Sequence, residues 1–377
     1  MHYMIFSANF LPNIGGVERF TDGLSGALVE MGHQVTIVTN NTFGLASTET
    51  LRDGIDIIRL PCFPLIGGRM PLPKPSGEFR SLWRSLQSLK FDGVIVNTRF
   101  YAHSLLGVWL ARRHGLTPLV LDHGSAYLTF GNPILDVMVR LYEHGITALV
   151  KRFNPNFYGI SLKSVEWLKT FGIQALGVIN NSIDAASYRL QASNRSFREE
   201  LAISADCLLV TFTGRFIPEK GISVLIEMMR LLEDEPIHLV MAGDGPLRKM
   251  VDESCLENIH IVGRLDAPDI ASLLMDSDLF CLPTRSEGFS TSLLEAVACG
   301  TPFLSTDVGG ARELAPDDSY GFVMESADAA AFASVVRAVA NKKEDLKVMG
   351  VRCRQRAESQ CSWQFAAERA VSCLSGE

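Results

Sequence analysis

The chain has 377 residues, 47% of them apolar, with a net charge of −7 and eight cysteines. That is enough apolar sequence for two domains with separate cores, and the acidic balance excludes nucleic acid as a main partner. The cysteines form no C-x-x-C pair and lie mostly in apolar segments, as Cys281 and Cys299 do, so they read as small core residues in a reducing compartment.

The opening MHYMIFSANF has no basic leader before a long apolar core and reads as a first strand. No uninterrupted apolar run reaches the ~18 residues of a spanning helix. The expected location is cytoplasmic, either free or peripheral on the inner face of a membrane.

Strand–helix alternation then begins. Tyr3 to Ala8 reads as a strand, the loop to Gly16 follows, and a helix is expected from Val17 to Met31. Gly15-Gly16 before a helix is a place where backbone can approach a phosphate, although a glycine pair also marks an ordinary tight turn. Further strands are expected at His33 to Thr39 and Ile55 to Leu60. Pro61 to Pro75, PCFPLIGGRMPLPKP, is excluded from helix and from a central strand by its prolines. It reads either as an irregular connection or as a loop that meets an apolar acceptor or a membrane. The helix after it, Phe79 to Leu89, carries Arg80 and Arg84 beside Leu82, Trp83 and Leu86, a mildly basic amphipathic face.

Strands at Gly93 to Asn97 and Pro118 to Asp122, with a helix from Tyr101 to His114 between them, deliver Asp122-His123-Gly124-Ser125 to a strand's carboxyl end. In a parallel sheet that edge faces ligand. Tyr158 to Ser161, a helix to Phe171 and Ala175 to Asn180 complete the first half. Asp184 to Asp206 is polar and strand-poor and reads as a linker. The strand pattern restarts at Leu208 to Thr213, Ile237 to Ala242, Ile259 to Val262, Leu279 to Leu282 and Phe303 to Ser305. The whole predicts an α/β protein of two Rossmann-like parallel-sheet domains facing across a cleft. The expected boundaries are 1–183, a linker at 184–206, 207–355, and a last helical piece, 356–377.

Two loops of the second half carry chemistry. In Gly214-Arg215-Phe216-Ile217-Pro218-Glu219-Lys220-Gly221, Arg215 and Lys220 can converge on a diphosphate, Arg as a fork and Lys as a point charge, or remain two solvated charges. Ala242-Gly243-Asp244-Gly245-Pro246 is not G-x-G-x-x-G, which argues against a dinucleotide-binding dehydrogenase. The stretch from Asp278 to Glu313 reads as strand, loop, helix, strand. Its helix start, Gly288-Phe289-Ser290-Thr291, is an anion site by dipole and open N–H groups. Glu287 and Glu295 bracket it, about 10–12 Å apart if the segment is mostly helical. That separation suits a hexose at Glu287 and a ribose at Glu295, unless Glu287 is an ordinary solvated loop residue. Ser292-Leu293-Leu294-Glu295 also reads as a capping box, which leaves Glu295 a structural role.

The string PTRSEGFSTSLLEAVACGTPFLSTDVGG closely resembles the donor-site segment of retaining glycosyltransferases with the GT-B fold, specifically glycosyltransferase family 4. The resemblance implies that Glu287 contacts the donor sugar, that Gly288, Phe289, Ser290 and Thr291 line the donor, and that Glu295 holds the ribose. TGRFIPEKG is similar to the family's phosphate loop, which implies diphosphate contacts for Arg215 and Lys220. GGVER matches a loop that closes over the phosphates, through Gly15 and Gly16. His123 takes the place of a histidine on the donor sugar, Gly263 and Arg264 that of backbone against the nucleobase, and the last helix is expected back on the first domain.

The implied activity is retaining transfer of a sugar from a UDP- or GDP-sugar to a glycan or lipid-linked acceptor, as in cell-surface polysaccharide or glycolipid synthesis. Arg215, Lys220 and the helix start would stabilise the leaving diphosphate, with no cofactor and no metal required. Front-face attack, with the departing phosphate helping to take the acceptor proton, is implied by the resemblance, and no nucleophile is assigned. The rivals are a sugar-nucleotide 2-epimerase and a non-catalytic sugar-nucleotide-binding protein.

Overall fold

A computed structural model describes residues 1–129 and 131–375. They form two compact units, Met1–Asn181 with Trp363–Glu377, and Ser182–Ser362.

The first unit runs β1 (His2–Ser7), α1 (Gly16–Glu30), β2 (Gln34–Asn41), β3 (Thr48–Arg52), β4 (Ile55–Leu65), β5 (Met70–Pro73), α2 (Gly77–Ser88), β6 (Gly93–Asn97), α3 (Ala102–Arg113), β7 (Leu119–Asp122), α4 (Pro133–Lys151), β8 (Asn156–Gly159), α5 (Leu162–Leu168) and β9 (Gly177–Val178). The sheet order is β3-β4-β2-β1-β6-β7-β8-β9, with β5 paired to β4. Pairing is parallel except where β3 and β5 meet β4. Met4, Ile5, Phe6, Val94, Ile95 and Val96 are wholly buried, as strands covered on both faces must be. Met4, Phe6 and Val96 share a core cluster with Leu86 of α2, Val108 of α3 and Val150 of α4, so these three helices cover one face. Gly107 lets α3 sit close, because a Cβ there would lie 2.8 Å from Phe6 and Val96.

Pro61 to Pro75 is ordered rather than irregular. β4 continues to Leu65 and folds back on β5 as a hairpin, its tip made by left-handed Ile66, Gly67 and Gly68. The Lys74 N–H donates to the Pro61 carbonyl at 2.8 Å. That bond puts Pro64 opposite Pro71, and Pro73 opposite Cys62, at the alternate positions that donate no ladder bond. Pro64, Pro71 and Pro73 therefore cost the hairpin no ladder bond, while Pro61, opposite Lys74, has no N–H to return to it. Phe63, Leu65 and Ile66 stay exposed, while Met70 is buried.

Helix α4 was not expected from the sequence. Its polar inner face explains why. Arg99, fully buried after β6, pairs with Asp122 at 2.7 Å and with Glu143 of α4 at 3.1 Å. The Leu128 N–H donates to Glu143 at 3.1 Å. Buried charge stands where an apolar stripe would have announced the helix.

In the second unit come α6 (Ala185–Leu190), α7 (Phe197–Glu200), β10 (Leu208–Thr213), α8 (Ile222–Arg230), β11 (Ile237–Ala242), α9 (Arg248–Asp252), β12 (Ile259–Gly263), α10 (Ala267–Asp276), β13 (Leu279–Leu282), α11 (Thr291–Cys299), β14 (Phe303–Thr306), α12 (Ala311–Leu314), β15 (Gly321–Met324), α13 (Ala329–Val339) and α14 (Lys343–Gln360). The sheet is β12-β11-β10-β13-β14-β15, parallel throughout. The expected linker at 184–206 is corrected here: it folds as α6 and α7 inside this unit. Asp184 and Ser196 cap the two helices, Phe197 is fully buried, and Arg198 pairs with Asp278 at 2.6 Å. The last helix, α15 (Trp363–Ser375), belongs to the first unit. It packs on α1, where Gly23 has no Cβ to clash with the Trp363 ring and Phe20 meets that ring edge-on at 5.8 Å.

All eight cysteines are free. Burial pushes the Cys281 thiol well above its ordinary range, as expected of a small core residue. Among the described residues no helix is long and apolar enough to cross a membrane.

Candidate functional site

In the second unit the loops that leave β10, β11 and β12 at their carboxyl ends are locked by backbone. The Gly214 N–H donates to the Ala242 carbonyl at 3.0 Å, and Gly243 to Gly263 at 2.7 Å. A Cβ on Gly243 would lie 1.9 Å from the Gly214 oxygen, so only glycine permits this approach. Gly263 ends β12 with φ +76°. Arg264 beside it is 80% exposed and reaches Asp244 at a long 3.8 Å.

The first of these loops passes Arg215, makes a single 3-10 turn at Pro218–Lys220, and enters α8 through left-handed Gly221. The loop between β13 and α11 is fastened to it. The Arg285 N–H and the Thr284 hydroxyl both donate to the Glu219 carbonyl, at 2.8 and 2.9 Å. A Cβ on Gly221 would meet the Pro283 oxygen at 2.1 Å. The Lys220 ammonium and the Glu287 carboxylate form an ion pair, with 19% and 17% of their side chains exposed. Arg215 is exposed, with no ion-pair partner among the described residues. Two cations and one of the two expected glutamates thus occupy one edge of one sheet.

Helix α11 starts at Thr291 rather than at Gly288. Ser290 is its N-cap, and its hydroxyl accepts from the Leu293 N–H at 3.4 Å. Glu295 is therefore the fifth helical residue, not the third, and the capping-box reading of Ser292 and Glu295 is corrected. Ser290 already does that work, because Gly288 and Phe289 are held outside the helix. The Ser290 N–H donates to the Gly309 carbonyl at 3.1 Å. Gly309 and Gly310 leave room for Glu287, Gly288 and the Phe289 ring, since a Cβ on either would fall within 2.8 Å of them. Glu295 is half-buried on the helix. Its carboxylate is left without a role in the cap.

The chain carries an Asp-x-Asp pair, Asp276-Ser277-Asp278, whose carboxylates are engaged in packing. Asp276 accepts from the Phe197 N–H at 2.7 Å, and Asp278 from the Leu209 N–H at 2.8 Å as well as from Arg198. It lies before β13, at the opposite end of that strand from Glu287.

In the first unit, His123, Gly15 and Gly16 lie at the carboxyl edge of its own sheet. His123 follows β7, and its Nε2 lies 3.1 Å from Asn97 Oδ1. Asn97 in turn donates to Thr21 Oγ1 at 2.8 Å. With the amide oriented that way, Nε2 carries the proton and Nδ1 keeps its lone pair. Phe20 meets the ring edge-on at 5.0 Å. Burial pushes His123 down to about 3, so the ring is neutral.

Gly15 caps α1 in an extended conformation. A Cβ there would lie 2.4 Å from Glu18 Oε2. The loop is thus glycine because Glu18 folds back over the helix start, with Asn13 donating to Glu18 Oε1 at 2.9 Å. Burial raises the Glu18 carboxyl above its usual range, opposed by those hydrogen bonds. Glu18, Asn97 and Thr21 were not singled out from the sequence. A glutamate three residues after a capping glycine is the signal for the first, and nothing local marks the other two.

Residues 14–187 match the family model described as Glycosyltransferase Family 4, and residues 193–356 match Glycosyl transferases group 1. An uncharacterized glycosyltransferase of Methanocaldococcus jannaschii is 23% identical over 340 residues, 85% of each chain. The phosphatidylinositol N-acetylglucosaminyltransferase gpi3 subunit of Schizosaccharomyces pombe is 22% identical over 378 residues, 96% of this chain and 77% of that one. The fold is shared with the sucrose-phosphate synthase of Thermosynechococcus elongatus (TM-score 0.73, 18% identity, 100% and 98% of the two chains). It is shared as well with Anabaena HepE in complex with UDP-glucose (TM-score 0.69, 18% identity, all of both chains).

Proposed function

We propose that this chain, which belongs to the glycosyltransferases of GT-B fold, moves a hexosyl group from a nucleoside-diphosphate sugar to a glycan or lipid-linked acceptor with retention of configuration. The observation that carries the reading is the Arg215–Lys220 loop joined to the Glu287 loop through the Glu219 carbonyl, with Lys220 and Glu287 in contact.

Breaking the sugar–phosphate bond leaves negative charge on a diphosphate. Arg215 and Lys220 supply cations for that charge, and Lys220 is already held in place by its pair with Glu287. Without donor, Lys220 and Glu287 neutralise each other. A diphosphate competes for the ammonium and frees the carboxylate to accept from sugar hydroxyls. Glu295, half-buried on α11, is the ribose acceptor. His123, neutral and donating to Asn97, offers Nδ1 to a sugar hydroxyl. Gly288, Phe289, Ser290 and Thr291 line the donor, Gly263 and Arg264 border the base, and Gly15 and Gly16 border the phosphates. The cations do the work that a metal would otherwise do. HepE, with its UDP-glucose, makes UDP-sugars the first donors to test.

The experiment is a thermal-shift panel of UDP- and GDP-sugars, followed by transfer and hydrolysis with the best donor, with and without excess chelator. The expected result is stabilisation by one nucleotide sugar, chelator-resistant turnover, and product of unchanged anomeric configuration. No stabilisation by any member overturns the donor assignment. An epimerised sugar formed without acceptor overturns transfer in favour of isomerisation.

A further inference from the structure

One exposed stripe of α4 is uncharged over the whole length of the helix. Ile134, Val137, Met138, Leu141 and Leu149 are 76, 55, 62, 68 and 41% exposed. Gly145 and Ala148, also exposed, fill the gaps in the same stripe, which follows the three- and four-residue spacing of one helix face. From residue 134 to 149 it runs about 22 Å at the helical rise.

The helix beneath this stripe is firmly seated. Asn132 caps it, Val139, Glu143, Thr147 and Val150 are buried, and Tyr142 accepts from the Ala102 N–H at 3.1 Å. The exposed side chains are therefore held in a fixed row. Apolar patches of this kind on a folded surface mark a contact with something apolar.

The surroundings say what that something is. On the same face of the sheet, α3 and α2 carry Trp109 tilted against Trp83 at 5.6 Å and Phe79 stacked on Trp83 at 6.3 Å. Arg113 lies over Trp109 at 5.5 Å. Residues 77–152 hold nine lysines and arginines against five acids in a chain of net charge −7. Two of those acids, Asp122 and Glu143, are buried against Arg99. The exposed charge there is mostly basic, Arg80, Arg84, Lys90, Arg113 and Arg140 against Glu78 and Asp92. An apolar helix face beside tryptophans and arginines has the composition of a segment lying in a lipid interface. A second copy is the poorer occupant. One helix face against its twin buries on the order of 600–800 Å² in total, short of the ~1,200 Å² of a stable interface.

We propose that the outer face of α4 is the surface by which this chain lies on an anionic lipid bilayer. The proposal does not rest on the transferase reading.

The test is flotation of the full chain with vesicles of phosphatidylcholine alone and with phosphatidylglycerol added. Wild type is expected to bind the anionic vesicles. Val137→Glu with Leu141→Glu is expected to lower that partition by about tenfold or more, and Arg140→Glu by a few-fold. Ile134→Glu with Met138→Glu is the second variant should the first not fold. Both pairs are exposed, so melting temperature and nucleotide-sugar stabilisation should stay near wild type, which separates failure of this surface from failure of the donor site. Absence of wild-type binding, or equal binding by the folded double variants, overturns the proposal. A stable wild-type dimer that Val137→Glu with Leu141→Glu dissolves also overturns it, in favour of a second copy.

Discussion

At the carboxyl end of the second unit's sheet, Arg215 is exposed, and Lys220 and Glu287 keep under one-fifth of their side chains in solvent. At the same end of the first unit's sheet, Arg99, Asp122 and Glu143 are enclosed to 1% or less, and His123 beside them is neutral. Both edges follow the same architectural rule, with strands pointing their carboxyl ends at the loops. One keeps its charge at the loops, where we propose that the diphosphate binds. The other spends its charge on holding α4 and the His123 loop and leaves a neutral ring for contact. Charge near a ligand edge is thus evidence of binding only where the fold has not already consumed it.

The sharpest way to break this comparison is to remove one charge from each edge. Arg99→Leu leaves two buried carboxylates without a cation and is expected to cost about 3–5 kcal/mol of stability, read by urea unfolding. Lys220→Ala breaks a partly exposed pair and is expected to cost about 1 kcal/mol or less. A mild Arg99→Leu variant would place that triad in solvent and erase the distinction.

The next largest effect is on pH. Burial pushes His103 down to about 4 and His123 to about 3. Below the ordinary histidine pKa the unfolded chain binds protons that these rings refuse. Their contribution is complete above about pH 6.5 and is lost as pH falls toward 4, on the order of 3 kcal/mol for His103. Glu18 and Glu143, both raised by burial, act in the opposite sense. The assignment is therefore read from the difference between wild type and His103→Gln. A slope unchanged by that substitution would place His103 in solvent.

Strand–helix order, the two sheets and the cationic loop were legible because buried parallel strands are continuous apolar runs and their glycine-bounded loops are short. Three features were not. Pro61 to Pro75 reads as an irregular connection or a loop because of its prolines, when what decides is which ladder position each proline takes. Helix α4 was hidden because Glu143 and Thr147 face inward and Ile134, Val137 and Leu141 face out, inverting the usual pattern. The segment at 184–206 looked like a linker because its anchors are polar: caps at Asp184 and Ser196, and Arg198 on Asp278.

On the ligand-facing edge, Arg215→Ala and Lys220→Ala each remove a charge-assisted contact of roughly 1.5–3 kcal/mol, so nucleoside-diphosphate affinity should fall about 10–100-fold by calorimetry. Unchanged affinity in both would move the diphosphate elsewhere and leave this edge as inert as the other.

The smallest effect separates two neighbours on one helix. Ser290 caps α11 and Glu295 does not. Ser290→Ala leaves the Leu293 N–H without its acceptor and is expected to lower stability by about 1 kcal/mol. Glu295→Gln keeps the size and the helix but loses the carboxylate's charge. Its stability should stay within a few tenths of a kcal/mol of wild type, while donor affinity falls roughly 5–20-fold through a weakened charge-assisted bond. The paired measurement is urea unfolding and donor calorimetry on both variants. If Glu295→Gln instead melts early and binds donor normally, the glutamate is structural after all, and the ribose must find its acceptor on another residue of this edge.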